Sequence, residues 1–144
     1  MLKKATIDDV LVVAELALAL WPDNDIAELA DEMKTKIMKS DAIIILSFNE
    51  QEAIGFAQCQ IRNDYVEGTN TSPVGYLEGV YVKDAFRKKG LARELIATCE
   101  QWVKTQGCSE FASDCELHNE ESLAMHIRLG FTEANRIICF TKKL

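Results

Sequence analysis

The stretch VKDAFRKKGLARELI, residues 82–96, gathers Lys83, Arg87, Lys88 and Lys89 ahead of a run with helical spacing, in a chain whose overall balance is acidic. The first N–H groups of a helix point outward unsatisfied, so a basic loop with a glycine at such a start is an anion site, and phosphate is the anion that suits it. A solvated run of surface charge is the alternative for the loop taken alone. It is neither a GxxxxGK[ST] phosphate loop nor a GxGxxG dinucleotide fingerprint. In CELH, Cys115 and His118 stand at a metal-like interval, but no second pair completes a site, and no metal is expected. Five cysteines, odd in number and scattered, predict packed, reduced thiols rather than a disulfide framework.

The elements that must hold this loop show as changes of period. Thr6 with Asp9 three residues on resembles a capping box, and the apolar run from Val10 to Leu20 predicts a helix that Pro22 ends. Ile26, Leu29, Met33 and Ile37 form the stripe of a second helix between Asp25 and Ser40. AIIILSF (42–48) and AIGFAQCQI (53–61) predict two antiparallel strands joined by a tight turn at NEQE. RNDYVEGTNTSPV reads as an irregular surface loop. GYLEGVYV (75–82) is a strand interrupted by Gly79, where a bulge or a close approach is expected. Leu91, Leu95, Ile96, Cys99 and Val103 share one face of a helix that Gly107 terminates. SEFASD is another strand, NEESLAMHIRL a short helix closed by Gly130, and RIICFTKK a final strand.

The pattern predicts one α/β domain over residues 1–144, with helices covering a mixed sheet. Its composition, 48% hydrophobic and 27% charged, is that of an ordinary globular chain. A net charge of −7 argues against a nucleic-acid partner and suits a cationic one. The first apolar run is broken by Glu15 and followed by no small-residue cleavage site, so neither a signal peptide nor a membrane span is expected, and the chain is expected to stay in the cytoplasm.

RKKGLA fits the R/Q-x-x-G-x-G/A element of the GNAT superfamily of acyl-CoA-dependent N-acetyltransferases. HNEESLAMHIRLGF resembles its later element, in which an Asn opens the helix and the segment closes on Gly-Phe. The resemblance covers nearly the full chain. It implies a mostly antiparallel sheet splayed beside Gly79 and acetyl-CoA as co-substrate. The pantetheine arm would lie against Val80, Tyr81 and Val82, and the pyrophosphate on Arg87, Lys88, Lys89, Gly90, Leu91 and Ala92. Asn119, which opens the later helix, joins the cofactor side.

LWPD, YVEGTNTSPVGYLEGVYV, EFASD and AMH..LGF are further similar to the short aminoglycoside 6′-N-acetyltransferases, type I. That resemblance implies transfer to a 6′-amine and a cleft lined by Trp21, Tyr65, Glu78 and Asp114. On their own chemistry, Glu78 and Asp114 are either solvated carboxylates or convergent anions for an ammonium group. Trp21 and Tyr65 are either packing residues or walls for a sugar ring. The implied mechanism is direct attack in a ternary complex, with Asp114 or Glu78 as base and a backbone N–H near Val80 for the oxyanion. His126 stands where many members have a tyrosine, and is either the acid for the leaving thiolate or a packed histidine. Asn24 and Asn135 stand where the close family often has a histidine and a glutamate, which bears on substrate range. Two alternatives stay open: an acetyltransferase for a polyamine or protein amine, and a non-catalytic domain binding acyl-CoA or polycations. The sequence does not decide the oligomeric state, but a small cleft domain with a C-terminal edge strand is compatible with a homodimer.

Overall fold

The computed structural model describes residues 1–144. Nine elements follow in the order β1 (Leu2–Lys4), α1 (Val10–Leu20), α2 (Ile26–Met38), β2 (Ala42–Asn49), β3 (Glu52–Arg62), β4 (Val74–Val82), α3 (Leu91–Thr105), β5 (Phe111–Ser113) and α4 (Glu120–Arg128). The strands form one sheet in the order β1-β2-β3-β4-β5, antiparallel throughout except for the β4–β5 pair.

The near-continuous apolar run of β2 has its reason in burial on both faces. Ile44 and Leu46 point with Phe56 into a core closed by α1 and α2 through Val13, Leu16, Ala17, Leu29 and Met33. Ile43 and Ile45 point the other way, with Ala57, Cys59 and Leu77, against Leu95, Ile96 and Cys99 of α3. The expected capping box is present: the Thr6 N–H donates to Asp9 Oδ2 at 2.7 Å, and Lys3 pairs with Asp9 at 2.9 Å. It caps a single 3-10 turn that runs into α1. Burial pushes the Asp9 carboxyl up, but the Thr6 and Lys3 hydrogen bonds outweigh it and leave the group below the usual carboxylate range.

Two differences from the sequence reading concern the sheet edges. β1 is a three-residue strand paired with β2, too short to show a period of two. The expected final strand over RIICFTKK does not form: residues 131–144 carry no helix or strand, and Ile137, Ile138 and Phe140 are 67%, 80% and 87% exposed. Alternating apolar residues make a strand only where a neighbour supplies the ladder. Here the segment crosses the 65–68 loop, with Ala134 against Gly68 and Asn135 bonded to Glu67, and then leaves the body of the domain.

Candidate active site

The two halves of the site meet where the sheet changes partners. β4 pairs with β5 only from Gly75↔Phe111 to Leu77↔Ser113. Beyond Leu77 it continues through Val80, Tyr81 and Val82 on β3 alone, so its other edge is open there. That gap leads into the basic loop. Lys88 and Gly90 both have positive φ, 62° and 84°, and Gly90 is the N-cap of α3 without any side-chain cap. A β-carbon at Gly90 would meet no heavy atom within 4 Å. Left-handed turns before an uncapped helix start aim main-chain N–H groups into one concavity, the local form of an anion site.

The four basic side chains of the loop divide by role. Lys83 pairs with Glu52 at 2.9 Å. Arg87 folds back onto its own loop while staying exposed: its Nε donates to the Val82 carbonyl at 2.8 Å and its Nη1 pairs with Asp84 at 2.9 Å. Lys88 and Lys89 stay exposed beside Gly90. The loop geometry, its free lysines and the open β4 edge fit a nucleotide pyrophosphate followed by an extended arm.

On the α1/α2 face of the sheet lies a polar cleft. Across β3, Cys59 pairs with Leu77 and Gln58 with Gly79, which leaves Glu78 as the extra residue of a bulge. A bulge puts two consecutive side-chain positions on one face. Glu78 accordingly lines a cavity of about 220 Å³ with Trp21, Asn24, Leu29, Glu32 and Gln58, while Gly79 lies directly under the Trp21 ring. Trp21 is set by the end of α1 and stands edge-on to Phe56, 6.1 Å between centroids. Asn24 Nδ2 donates to the Trp21 carbonyl at 3.1 Å and holds that turn.

A larger cavity of about 660 Å³ adjoins the first and shares Glu32, Gln58 and Glu78 with it. Tyr65 lies on its rim, exposed, donating to Glu67 Oε2 at 3.0 Å. Asn135 Nδ2 donates to the other Glu67 oxygen at 3.0 Å, so the C-terminal segment braces the Tyr65 loop.

Glu78 and Asp114 are joined through two residues that the sequence reading did not single out. Arg62 Nη2 donates to both Glu78 oxygens, at 2.8 and 3.1 Å, and its guanidinium lies 3.5 Å from the centre of the Tyr76 ring. The Tyr76 hydroxyl donates to Asp114 Oδ2. Burial, then the Asp114 bond, pushes the Tyr76 phenol well above its ordinary value, so it remains a donor. Strand alternation carries a signal for both residues: Arg62 follows Gln58 and Gln60 on one face of β3, and Tyr76 precedes Glu78 by two on β4.

His126 and Asn119 sit apart from the cleft. His126 is buried with its ring edge toward Phe131; Nδ1 faces the Ser122 carbonyl at 2.7 Å and Nε2 the Ser113 hydroxyl at 2.8 Å. A carbonyl can only accept, so Nδ1 carries a hydrogen. Asn119 Oδ1 accepts from the Ser122 N–H at 3.0 Å and caps α4.

A splayed mixed sheet with an uncapped basic helix start at the splay defines a class of acyl-CoA-dependent transferases. The chain matches the acetyltransferase (GNAT) family over residues 11–131, and it belongs to that family. Among its relatives, the aminoglycoside N(6′)-acetyltransferase type 1 of Acinetobacter haemolyticus is 43% identical over 130 residues, 90% of this chain and 89% of its own. The solved structure of AAC(6′)-Iy in complex with CoA matches with a TM-score of 0.96 at 32% identity, covering 100% of this chain and 95% of that one. AAC(6′)-Iy in complex with the bisubstrate analogue CoA-S-monomethyl-acetylneamine matches with a TM-score of 0.95 at 32% identity, covering 100% and 98%.

Proposed function

We propose that this protein transfers the acetyl group of acetyl-CoA to the 6′-amine of aminoglycosides, a reaction that confers resistance to them, by direct attack in a ternary complex. The observation that carries the reading is the Glu78–Arg62–Tyr76–Asp114 chain, which links a carboxylate lining the polar cleft to a second one just past the end of β5, where the edge of β4 opens. Relatives that bind CoA and a CoA–neamine conjugate support it.

Acetyl-CoA supplies the activated acyl carbon. The Gly90 loop, with Lys88 and Lys89, holds the pyrophosphate, and the unpaired edge from Val80 to Val82 holds the arm and donates to the thioester oxygen. An aminoglycoside is polycationic, and an ammonium has no lone pair, so a proton must leave before attack. Both Glu78 oxygens are occupied by Arg62, whereas Asp114 uses only Oδ2 toward Tyr76. That division favours Asp114 as base and Glu78 as the anchor for a charged group. Asp114 takes one ammonium proton, and the free amine then attacks the thioester carbon. As the tetrahedral adduct collapses with C–S cleavage, the second proton leaves the nitrogen to solvent, from which the leaving thiolate is protonated. His126, with both ring nitrogens engaged, holds β5 and therefore Asp114 in place. Trp21 and Tyr65 wall the sugar.

No helix is long and apolar enough to cross a membrane. The site of action is the cytoplasm, where acetyl-CoA is made and retained. The working unit is a homodimer in which the exposed Ile137, Ile138 and Phe140 are covered by a second copy. Thiol release from acetyl-CoA across a panel of 6′-amino and 6′-hydroxy aminoglycosides, polyamines and lysine peptides tests the reading, with product NMR locating the acetyl group. Turnover only with polyamines or peptides overturns it.

A further inference from the structure

One polar group in the acceptor cleft has no part in the chemistry above. Gln58 lies on β3 opposite Gly79, at the position where the register with β4 shifts. It is 3% exposed, and it lines both cavities of the cleft together with Glu78 and Glu32. Its Oε1 is covered and finds no hydrogen-bond donor. The next polar residues on the same face are satisfied: Gln60 Oε1 accepts from Lys36 Nζ at 2.5 Å, and Arg62 is held by Glu78. The other covered oxygen without a donor, Ser47 Oγ, belongs to β2 and lines neither cavity.

A buried carbonyl with no donor is costly, and folded proteins keep few of them. Such a residue persists where function uses the unmet bond. The terminal amide torsion of glutamine is soft, so a rotation about it turns the carbonyl into the cavity that the side chain already lines. A neutral acceptor in that place complements the two carboxylates. They take the ammonium groups, and the amide is suited to a neutral O–H.

We infer that Gln58 is a specificity-determining residue of the acceptor site, its side-chain carbonyl accepting a hydrogen bond from a ring hydroxyl of the aminosugar anchored at Glu78. The inference rests on the aminoglycoside reading and deepens it. It makes the cleft a reader of hydroxylated amines and gives it a means of disfavouring linear polyamines, which carry no hydroxyl.

The experiment uses the full chain loaded with CoA, and neamine as the probe. Gln58→Met keeps length and removes both polar atoms. The expected result is a neamine Kd and KM raised about tenfold, an unchanged KM for acetyl-CoA, and a Tm equal to or above that of the wild type, because an unmet carbonyl has been removed. Gln58→Glu retains an acceptor oxygen and should keep neamine binding within about threefold. Among neamine derivatives that each lack one hydroxyl, one should bind the wild type more weakly and lose nothing further in Gln58→Met. A lower Tm or failure to fold in Gln58→Met would mean that the amide serves the fold, and would overturn the inference. So would an unchanged neamine KM, or an equal loss with every deoxy derivative. If the wild type neither binds nor acetylates neamine, the aminoglycoside reading falls and this inference with it. Wild-type turnover with an indifferent Gln58→Met refutes the inference alone.

Discussion

Gly79 lies under the ring of Trp21 so closely that a β-carbon there would stand 2.7 Å from Cζ2 and 2.8 Å from Cη2. The glycine inside β4 is thus the space in which the cleft wall rests. Gly79→Ala should push the indole toward the cavity and cost about 1–3 kcal/mol of stability, as overpacking does. The acceptor KM should rise while that for acetyl-CoA stays close to wild type. Thermal melts and steady-state kinetics check this; unchanged values for both would mean that the contact does not shape the cleft.

The two carboxylates should separate kinetically. Asp114→Asn is expected to lower kcat roughly a hundredfold or more, since it removes the proton acceptor, whereas Glu78→Gln should mainly raise the acceptor KM. Activity of Asp114→Asn should recover as pH rises, because the free amine then forms without the enzyme's help. A pH–rate profile of both variants decides it. Recovery in Glu78→Gln instead would exchange the two roles.

The basic loop should act on the co-substrate alone. A side chain at Gly90 meets no protein atom, but it must adopt a φ of +84° and cover the helix-start N–H groups. Gly90→Val should therefore weaken acetyl-CoA binding tenfold or more. Lys88→Ala and Lys89→Ala should each weaken it less, by an amount that shrinks with added salt. Arg87→Ala should do more than either lysine variant, since it also releases the Val82 carbonyl and Asp84. Calorimetric titration at two salt concentrations would show whether the order holds.

The C-terminal segment should decide the oligomeric state. With Ile137, Ile138 and Phe140 exposed in one copy, the proposed dimer predicts that the wild type should sediment as a dimer and that Ile138→Asp together with Phe140→Asp should leave a monomer. Because Asn135 and Tyr65 share Glu67, loss of the pairing should also raise the acceptor KM. Analytical ultracentrifugation settles the first point, and a monomeric wild type would end the proposal.

Loss of the capping box by acid offers a stability test away from the site. The Asp9 carboxyl lies below its ordinary value in the folded chain, so its contribution is present above the unfolded value of 3.8 and is lost as pH falls through the lower folded one. Asp9→Asn should flatten that part of the pH–stability curve and cost about 1 kcal/mol near neutrality. Denaturant melts across the acid range would detect it.

Local pattern determined much of this protein. The period of the apolar residues, Pro22, Gly107 and Gly130 mark the helices and their ends, since these signals act within a few residues of the backbone they govern. The uninterrupted AIIIL run marked a strand, and RKKGLA marked a basic, glycine-containing start of a helix. Tertiary structure decided the rest, because it depends on which strand lies beside which. A bulge exists only relative to a partner, so only the β3 register shows Glu78 and Gly79 turned to the same face. Arg62 and Tyr76 link Glu78 to Asp114 across 52 positions of sequence, from Arg62 to Asp114, and no local spacing encodes that. RIICFTKK has the composition of a strand, yet it stays unpaired within one copy, since a ladder needs an edge as well as a sequence. Gln58 reads as one more polar residue in an alternating strand. Only the packed structure shows that its carbonyl is buried and unanswered.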